Sequence, residues 1–422
     1  MAKKKQQKQE WKPTKKYVSN LHKQQRKLNI IKITSAIVIL AVVIMVVLGL
    51  AFQWYIPKVK PMGDVVIEVN GTTIKMSEYI DAVKYQTQGY SEQLIPYFLD
   101  PVANNIITGE LIKQYAEDLG YTVTPKEIGD YLKEKDIEAT DVLRSYTHVY
   151  LVQMKLIDEY FKPQVPAETE LRAARAMFLE SQAQADEILQ RLANGEDFAD
   201  IASELSLDEL TKKESGELGK HPAGIISASF GSSKLDELVF SKELGIHSSY
   251  EEDKSKSIGY WLAQVQEWGE DEDNPIANIK IMLLSSEEEA QMIREKLLAG
   301  EDFDELAEEY SGVWNETTGA FFEEVIPDDV SAAFDKVVFD GRLPAGEISV
   351  PIADDEQTTK GGYWVYEISA IETGPISEED TSTLSYLELE AWTETISKDE
   401  NNVIENHLDD AKKQFAIDRI TG

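Results

Sequence analysis

The stretch NGEDFADIASELS at residues 194–206 returns 105 residues later as AGEDFDELAEEYS at residues 299–311. The match is more than the shared GEDF. Ile188, Leu192, Gly195, Phe198, Ala202 and Ser206 all fall on identical residues at that one shift. The spacing predicts a helix stopped by glycine, then a second helix opened by Glu-Asp-Phe with its alanine facing inward. Further along the shift slips, as changes in loop length cause. Gly216 then pairs with Gly319, Phe240 with Phe339, and Gly259-Tyr260-Trp261 with Gly362-Tyr363-Trp364. Each copy begins with an apolar run that reads as a strand, RAMFLE at 175–180 and IKIMLL at 279–284, and each triplet opens another. Strand, helix, helix, glycine-rich segment, helix and strand describe an α+β unit of about 100 residues. Two such units are too few for a solenoid, so the expectation is a tandem pair of globular domains at 166–269 and 276–372. The acidic, proline-containing GEDEDNP at 269–275 reads as the linker between them.

The chain has 422 residues, enough for several domains, and no cysteine, which excludes disulfides and thiol chemistry. Its formal charge is −35. Residues 1–32 nevertheless carry eleven Lys/Arg against the single acid Glu10, leaving a net −45 on everything after them. So acidic a body excludes nucleic acid as a partner, because phosphate contacts need lysine and arginine in quantity. It fits solubility and repulsion from an anionic membrane, or a surface that steers basic partners.

Between the two charge zones lies ITSAIVILAVVIMVVLGLAF at residues 33–52, twenty residues without a charge. That is the length of a transmembrane helix. Trp54 and Tyr55 follow where an interfacial aromatic belt would sit. The run is too long for a cleaved signal peptide and no A-x-A-like site follows it. The expectation is a basic cytoplasmic tail at 1–32, a single-pass signal anchor at 33–53, and an extracytoplasmic body on the cell membrane.

In the body, VVIEV, then Asn70-Gly71, then TTIK reads as a tight hairpin. Helical spacing follows to Gly120, and Thr124-Pro125-Lys126-Glu127 reads as the capped start of another helix. Residues 64–165 are thus mostly helical. Residues 376–422 carry two acidic helices whose apolar stripes must dock elsewhere.

VIEVNGTTI, LIKQYAEDLGYTVTPKEIGDYL and the duplicated GEDF…A…S with its SGELG and TGAFF sequels carry a resemblance. The repeats resemble parvulin-type (PpiC) peptidyl-prolyl isomerase domains. Residues 64–165 resemble the N-terminal chaperone module of extracytoplasmic foldases of the SurA, PrsA and PpiD type. The resemblance covers about residues 64–372 and implies a C-terminal helix docked on the N-terminal module. It also implies an apolar slot for a proline ring and a polar set that favours the twisted amide over the planar one. No cofactor or metal is implied.

In the family that polar set includes a histidine on the first strand, a Cys or Asp after the second helix, and a histidine on the last strand. Carried over by position, the first falls on Ala176 and Ile281, and the last on Trp261 in copy one and Trp364 in copy two. The acid remains as Asp208, with Val313 in its place in copy two. The slot positions are Val330, Phe334 and Phe339 in copy two, and Leu235 and Phe240 in copy one with Phe230 close by. These aromatics fit a substrate slot or an ordinary core equally in kind. Asp208 fits a catalytic acid or a helix cap, and His221 a relocated imidazole or a surface histidine. Trp261 and Trp364 fit a filled crevice or plain packing.

No phosphate-binding glycine loop, dinucleotide fingerprint or nucleophile elbow is present. Zinc spacing is excluded by the missing cysteines, and Glu270-Asp271-Glu272-Asp273 lacks the EF-hand pattern. The sequence leads to a membrane-anchored foldase that binds unfolded or newly translocated polypeptide near the translocation machinery, with weak isomerase activity at most. Two other readings stay open: a holdase without catalysis, and an adaptor gripping one membrane or secreted partner.

Overall fold

A computed structural model describes residues 15–271, 274–315 and 317–422. The basic residues up to 14, and Glu272 and Asp273 of the expected linker, lie outside that set. The chain divides into two compact units, one formed by residues 1–156 and 390–422, the other by residues 157–389.

The first unit opens with helix α1 (Lys15–Leu50), whose large apolar side chains from Ile37 to Leu50 are exposed. The expected span at 33–53 falls partly on side chains outside the described set. Among the described residues, no helix is long and apolar enough to cross a membrane. Strands β1 (Val65–Val69) and β2 (Thr72–Lys75) then form the expected hairpin. Asn70 at φ 49° and Gly71 at φ 88° supply the two left-handed positions that a two-residue turn of this hand demands. Helices α2 (Met76–Gln86), α3 (Ile95–Asp118), α4 (Pro125–Glu134) and α5 (Asp141–Lys155) follow. Their inner faces bury Tyr79, Ile80, Val83, Leu111, Ile112 and Val152. At the start of α4 the Thr124 hydroxyl accepts from the Glu127 N–H (3.3 Å), and the Glu127 carboxylate accepts from the Thr124 N–H (2.7 Å). That is the reciprocal cap predicted from these two residues.

The repeats form the second unit. Copy one contributes β3 (Glu168–Leu179), α6 (Gln182–Ala193), α7 (Phe198–Leu205), α8 (Glu209–Lys213), β4 (Glu217–His221), α9 (Ile225–Phe230), α10 (Ser233–Ser241) and β5 (Gly245–Lys256). Next come β6 (Gly259–Asp271), β7 (Asn274–Leu284), α11 (Glu287–Leu298), α12 (Phe303–Tyr310), β8 (Phe321–Val325), α13 (Ala332–Val338), β9 (Ile352–Asp354) and β10 (Thr359–Pro375). The repeated phrase folds the same way twice. Gly195 (φ 92°) and Gly300 (φ 98°) end α6 and α11 in the left-handed region. Asp197 and Asp302 cap α7 and α12 by accepting from the next backbone N–H groups.

The last strands, however, are exchanged. One four-stranded sheet has the order β4-β3-β10-β5 and the other β8-β7-β6-β9. Strand β6, which sequence order gives to copy one, pairs with β7 and β9 of copy two. Strand β10 returns to pair with β3 and β5 of copy one. Copy two is therefore inserted before the final strand of copy one, and the simple tandem order expected from the sequence does not describe the sheets. On either side of Glu272 and Asp273, the acidic stretch expected to be a linker belongs to the β6–β7 ladder, with Glu270 opposite Pro275 and Asp271 opposite Asn274. A linker cannot lie there because both flanking strands belong to one ladder.

The crossing point is tight and partly buried. Thr359 Oγ1 donates to the Ile258 carbonyl (2.5 Å), and a Cβ on Gly259 would lie 2.7 Å from Leu283 Cδ1 and 3.0 Å from Gln357 Cβ. Lys256, only 2 % exposed, donates to the carbonyls of Gly361 and Lys360. Nearby, the Tyr260 hydroxyl of β6 donates to Glu180 at the end of β3 (2.9 Å). Burial pushes the Lys256 ammonium down to about 8, against the opposing pull of Glu180 and Glu289, and pushes the Glu180 carboxyl up. A lysine whose folded-state value lies below its unfolded one binds fewer protons when folded, so stability rises as pH increases from about 8 toward about 10. Denaturant titrations across that range should show a gain of about 2 kcal/mol, and Lys256→Met should flatten it.

After β10 come α14 (Glu378–Ser397), β11 (Ile404–Asn406) and α15 (Asp410–Thr421). The division between units falls inside α14, so residues 376–422 do not act as one piece. Residues 390–422 belong with the helical module: β11 pairs with β1, giving the order β11-β1-β2, and α15 lies on α2 and α3 with Ala416 buried. Tyr115 donates to Asp399 Oδ2 (2.7 Å) and meets Trp392 edge-on at 6.5 Å. The first turns of α14 belong with copy one, where buried Asp380 bonds His221 Nδ1 at 2.9 Å.

Candidate functional site

In each sheet of the repeats, the alternation of the strands puts one set of residues on the face covered by the short C-terminal helices of the copy. In copy one that face carries Ala174, Ala176 and Phe178 of β3 with Trp364, Tyr366 and Ile368 of β10, under α9 and α10. In copy two it carries Ile279, Ile281 and Leu283 of β7 with Trp261, Ala263 and Val265 of β6, under α13. Because of the strand exchange, Trp364 belongs to copy one and Trp261 to copy two, reversing the assignment made from sequence order.

In copy one, fully buried Trp364 packs on Phe178 with ring centroids 4.9 Å apart, and its indole N–H donates to Glu251 on β5. Glu251 also accepts from the Ser232 hydroxyl (3.0 Å). Asp208 caps α8, with Oδ1 accepting from the Thr211 N–H (2.8 Å). Its other oxygen meets Lys254 Nζ at 2.8 Å, and both side chains are largely buried. The ammonium of Lys254 lies 5.1 Å from the Trp364 ring centroid and 5.7 Å from that of Phe178. Two carboxylates, one ammonium and two rings thus satisfy one another. A buried charge with its partners in place is held rather than offered.

Copy two repeats the theme with fewer charges. Trp261 stands edge-on to Phe334 at 6.0 Å and donates its N–H to Asp354 Oδ2 on β9 (2.8 Å). Burial pushes the Asp354 carboxyl up. Hydrogen bonds from Ser331, Trp261, the Glu356 N–H and Gln357 outweigh that and leave it below the usual carboxylate range. Val313, at the acid's place, packs against this core, and its carbonyl accepts from the Ser311 hydroxyl (2.7 Å).

The slot residues read from the sequence are members or edges of these cores. Leu235 and Phe334 are fully buried, and Phe339 is 7 % exposed and edge-on to Trp268 at 5.6 Å. Val330, Phe230 and Phe240 pack from the side, with Phe240 under the Arg172 guanidinium at 5.3 Å. His221 stands on edge strand β4 against α14, and His247, opposite Tyr366 with ring centroids 5.5 Å apart, bonds the Glu243 carbonyl (2.9 Å). A cavity of about 250 Å³ opens beside Asp208, lined by Leu207, Glu209, Leu210, Ser255, Ser257 and Thr358 among others.

Sequence reasoning missed Lys254, Glu251 and Asp354. For the two acids a signal was available. They stand 103 residues apart, the same shift that relates the two Gly-Tyr-Trp triplets. Each tryptophan thus has a carboxylate ten residues before it, and the strand exchange crosses the pairs: Glu251 accepts from Trp364, and Asp354 from Trp261.

The N-terminal part, residues 25–148, matches the family model described as SurA-like N-terminal domain. Residues 169–268 and 283–369 match two models described as PPIC-type PPIASE domain. A helical module of this kind followed by a parvulin pair defines a chaperone of the foldase class with peptidyl-prolyl isomerase-type domains. The foldase protein PrsA of Caldanaerobacter subterraneus subsp. tengcongensis is 32 % identical over 213 residues, 43 % of this chain and 68 % of that one. PrsA of Halalkalibacterium halodurans is 23 % identical over 289 residues, 60 % of this chain and 80 % of its own. The crystal structure of the peptidylprolyl isomerase PrsA from Bacillus cereus aligns over 86 % of this chain and all of that one, at 11 % identity and a TM-score of 0.26. This chain belongs to the PrsA foldase family.

Proposed function

We propose that this chain is a membrane-tethered, extracytoplasmic foldase that grips unfolded or newly translocated polypeptide, and that its parvulin folds have little or no isomerase activity. The observation that carries the second half is the tryptophan in each sheet. Trp364 and Trp261 fill the position where the family places its last-strand histidine, each seated on a phenylalanine with its N–H bound to a carboxylate. Ala176 and Ile281 hold the first-strand position with no titratable group, and Asp208 is tied to Lys254. With no imidazole at either family position and Asp208 paired, little in the site can prefer the twisted amide.

The tether rests on the uncharged run at 33–52, on the exposed apolar side chains of α1 and on the basic residues before them. Such an anchor places the acidic body near the exit of the translocation machinery.

Prolyl isomerisation by the full chain, on short peptides varying the residue before proline, tests the catalytic half. The expected rate lies within about tenfold of the uncatalysed one, against the 10²–10⁴-fold that a well-placed acid or base contributes. A larger acceleration that falls on Asp208→Ala or Phe334→Ala would overturn this and place isomerisation in a named copy. Suppression of aggregation across unrelated clients separates a general foldase from an adaptor, which would ignore most of them.

A further inference from the structure

A cavity of about 670 Å³ lies in the helical module, between α2, α3 and α5 and beside β2. Such a volume takes two or three side chains, not a whole domain. Its apolar lining comes from Ile74, Ala82, Ile106 and Val149, at the place where glycine at 109 lets α5 close on α3. A Cβ there would sit 3.0 Å from Val149 Cγ2.

The charged part of the lining is predominantly acidic. Glu78, Asp81, Glu110 and Asp141 stand against a single base, Lys113, which is already paired with Glu110. Asp81 and Asp141 are exposed at the rim, and among the described residues neither has an ion pair. Beside the cavity, β2 is the outer strand of its sheet, and among the described residues no strand pairs with its far edge. An outer strand with an edge that no strand covers, next to a side-chain pocket, is the arrangement that accepts an extended peptide.

We propose that this cavity binds an extended polypeptide segment carrying a large apolar side chain flanked by lysine or arginine. The apolar side chain enters between α2, α3 and α5, the flanking basic residues face Asp81 and Asp141, and the segment's backbone runs along β2. The proposal rests on the foldase reading above and names which stretch of a client the helical module selects.

The test uses the full-length chain and fluorescence anisotropy with labelled peptides that share a central Leu or Phe and differ only in Lys or Glu flanks. The Lys-flanked peptide is expected to bind about tenfold more tightly at low salt, with the gap narrowing as salt rises. Asp81→Lys with Asp141→Lys should erase that preference, while Asp186→Lys with Glu187→Lys, the same charge change on exposed α6, should leave it. Ser145→Trp, on the exposed wall of the cavity, should weaken both peptides. Equal affinity for the two peptides, or equal effects of the two charge reversals, overturns the proposal and assigns any preference to the acidic body as a whole. Absence of peptide binding overturns it as well. In that event retained suppression of client aggregation leaves the foldase reading standing, and its loss removes both.

Discussion

With cysteines at positions 250 and 363, air oxidation should close one intrachain disulfide nearly completely, whereas cysteines at 250 and 260 should stay reduced. The exchange of last strands makes the difference. Tyr250 on β5 lies directly opposite Tyr363 on β10, with ring centroids 5.2 Å apart. Opposed residues in an antiparallel pair have Cα atoms about 4.5–5.5 Å apart, within the range that a disulfide spans. Tyr260, which holds in the first Gly-Tyr-Trp triplet the place that Tyr363 holds in the second, sits instead opposite Leu284 and Ala353 in the other sheet. The protein has no cysteine of its own, so each engineered pair reads cleanly on a non-reducing gel. The bridged loop exceeds 100 residues, and the Tyr250→Cys/Tyr363→Cys chain should gain up to about 4 kcal/mol in the oxidised form. Closure of the 250–260 pair in place of the 250–363 pair would restore the tandem order and refute the exchange.

The ease of reading this protein tracks the range of the interactions involved. The Asn70-Gly71 turn, the Thr124–Glu127 cap and the Gly195/Gly300 stops are decided within four or five residues, and each lies where the sequence placed it. The exchange is not local. β6 and β10 open with the same Gly-Tyr-Trp and carry the same alternation, so neighbouring residues cannot say which sheet each strand enters. That choice lies in the crossing between Ile258 and Thr359 and in the packing of Gly259 against Leu283. The ion pair of Lys254 with Asp208 escaped for a similar reason: 46 residues separate them, and their meeting depends on β5 passing α8. Asp208 itself was legible by its place in the family pattern, where it fitted an acid or a helix cap, and it caps α8. The tryptophans and the carboxylates ten residues before them were legible as repeated pairs, but which carboxylate takes which N–H is decided by the strand register.

Trp364→Ala should be among the most damaging single substitutions in the repeats, costing about 3–5 kcal/mol by chemical denaturation of the full chain. The side chain is fully buried on Phe178, so its removal leaves an indole-sized void in a sheet whose strands come from distant parts of the chain. Two polar groups also lose a partner. Glu251 keeps only the Ser232 hydroxyl, and Lys254 loses one of its two rings. Trp364→Phe should cost less, about 1–2 kcal/mol, because it refills most of the void and forfeits mainly the bond to Glu251. Trp261→Ala should cost less than Trp364→Ala. Asp354 retains Gln357 and the Glu356 N–H when the indole is gone, and among the described residues no ammonium lies over the ring. The ordering separates two accounts of these tryptophans. A residue that fills a core loses most on truncation to alanine, and its cost follows buried volume and orphaned partners. A residue lining an open slot for client proline would lose little stability, and its alanine variant would instead weaken peptide binding. A cost below about 1 kcal/mol at Trp364, with binding reduced, would therefore reopen the isomerase slot in copy one.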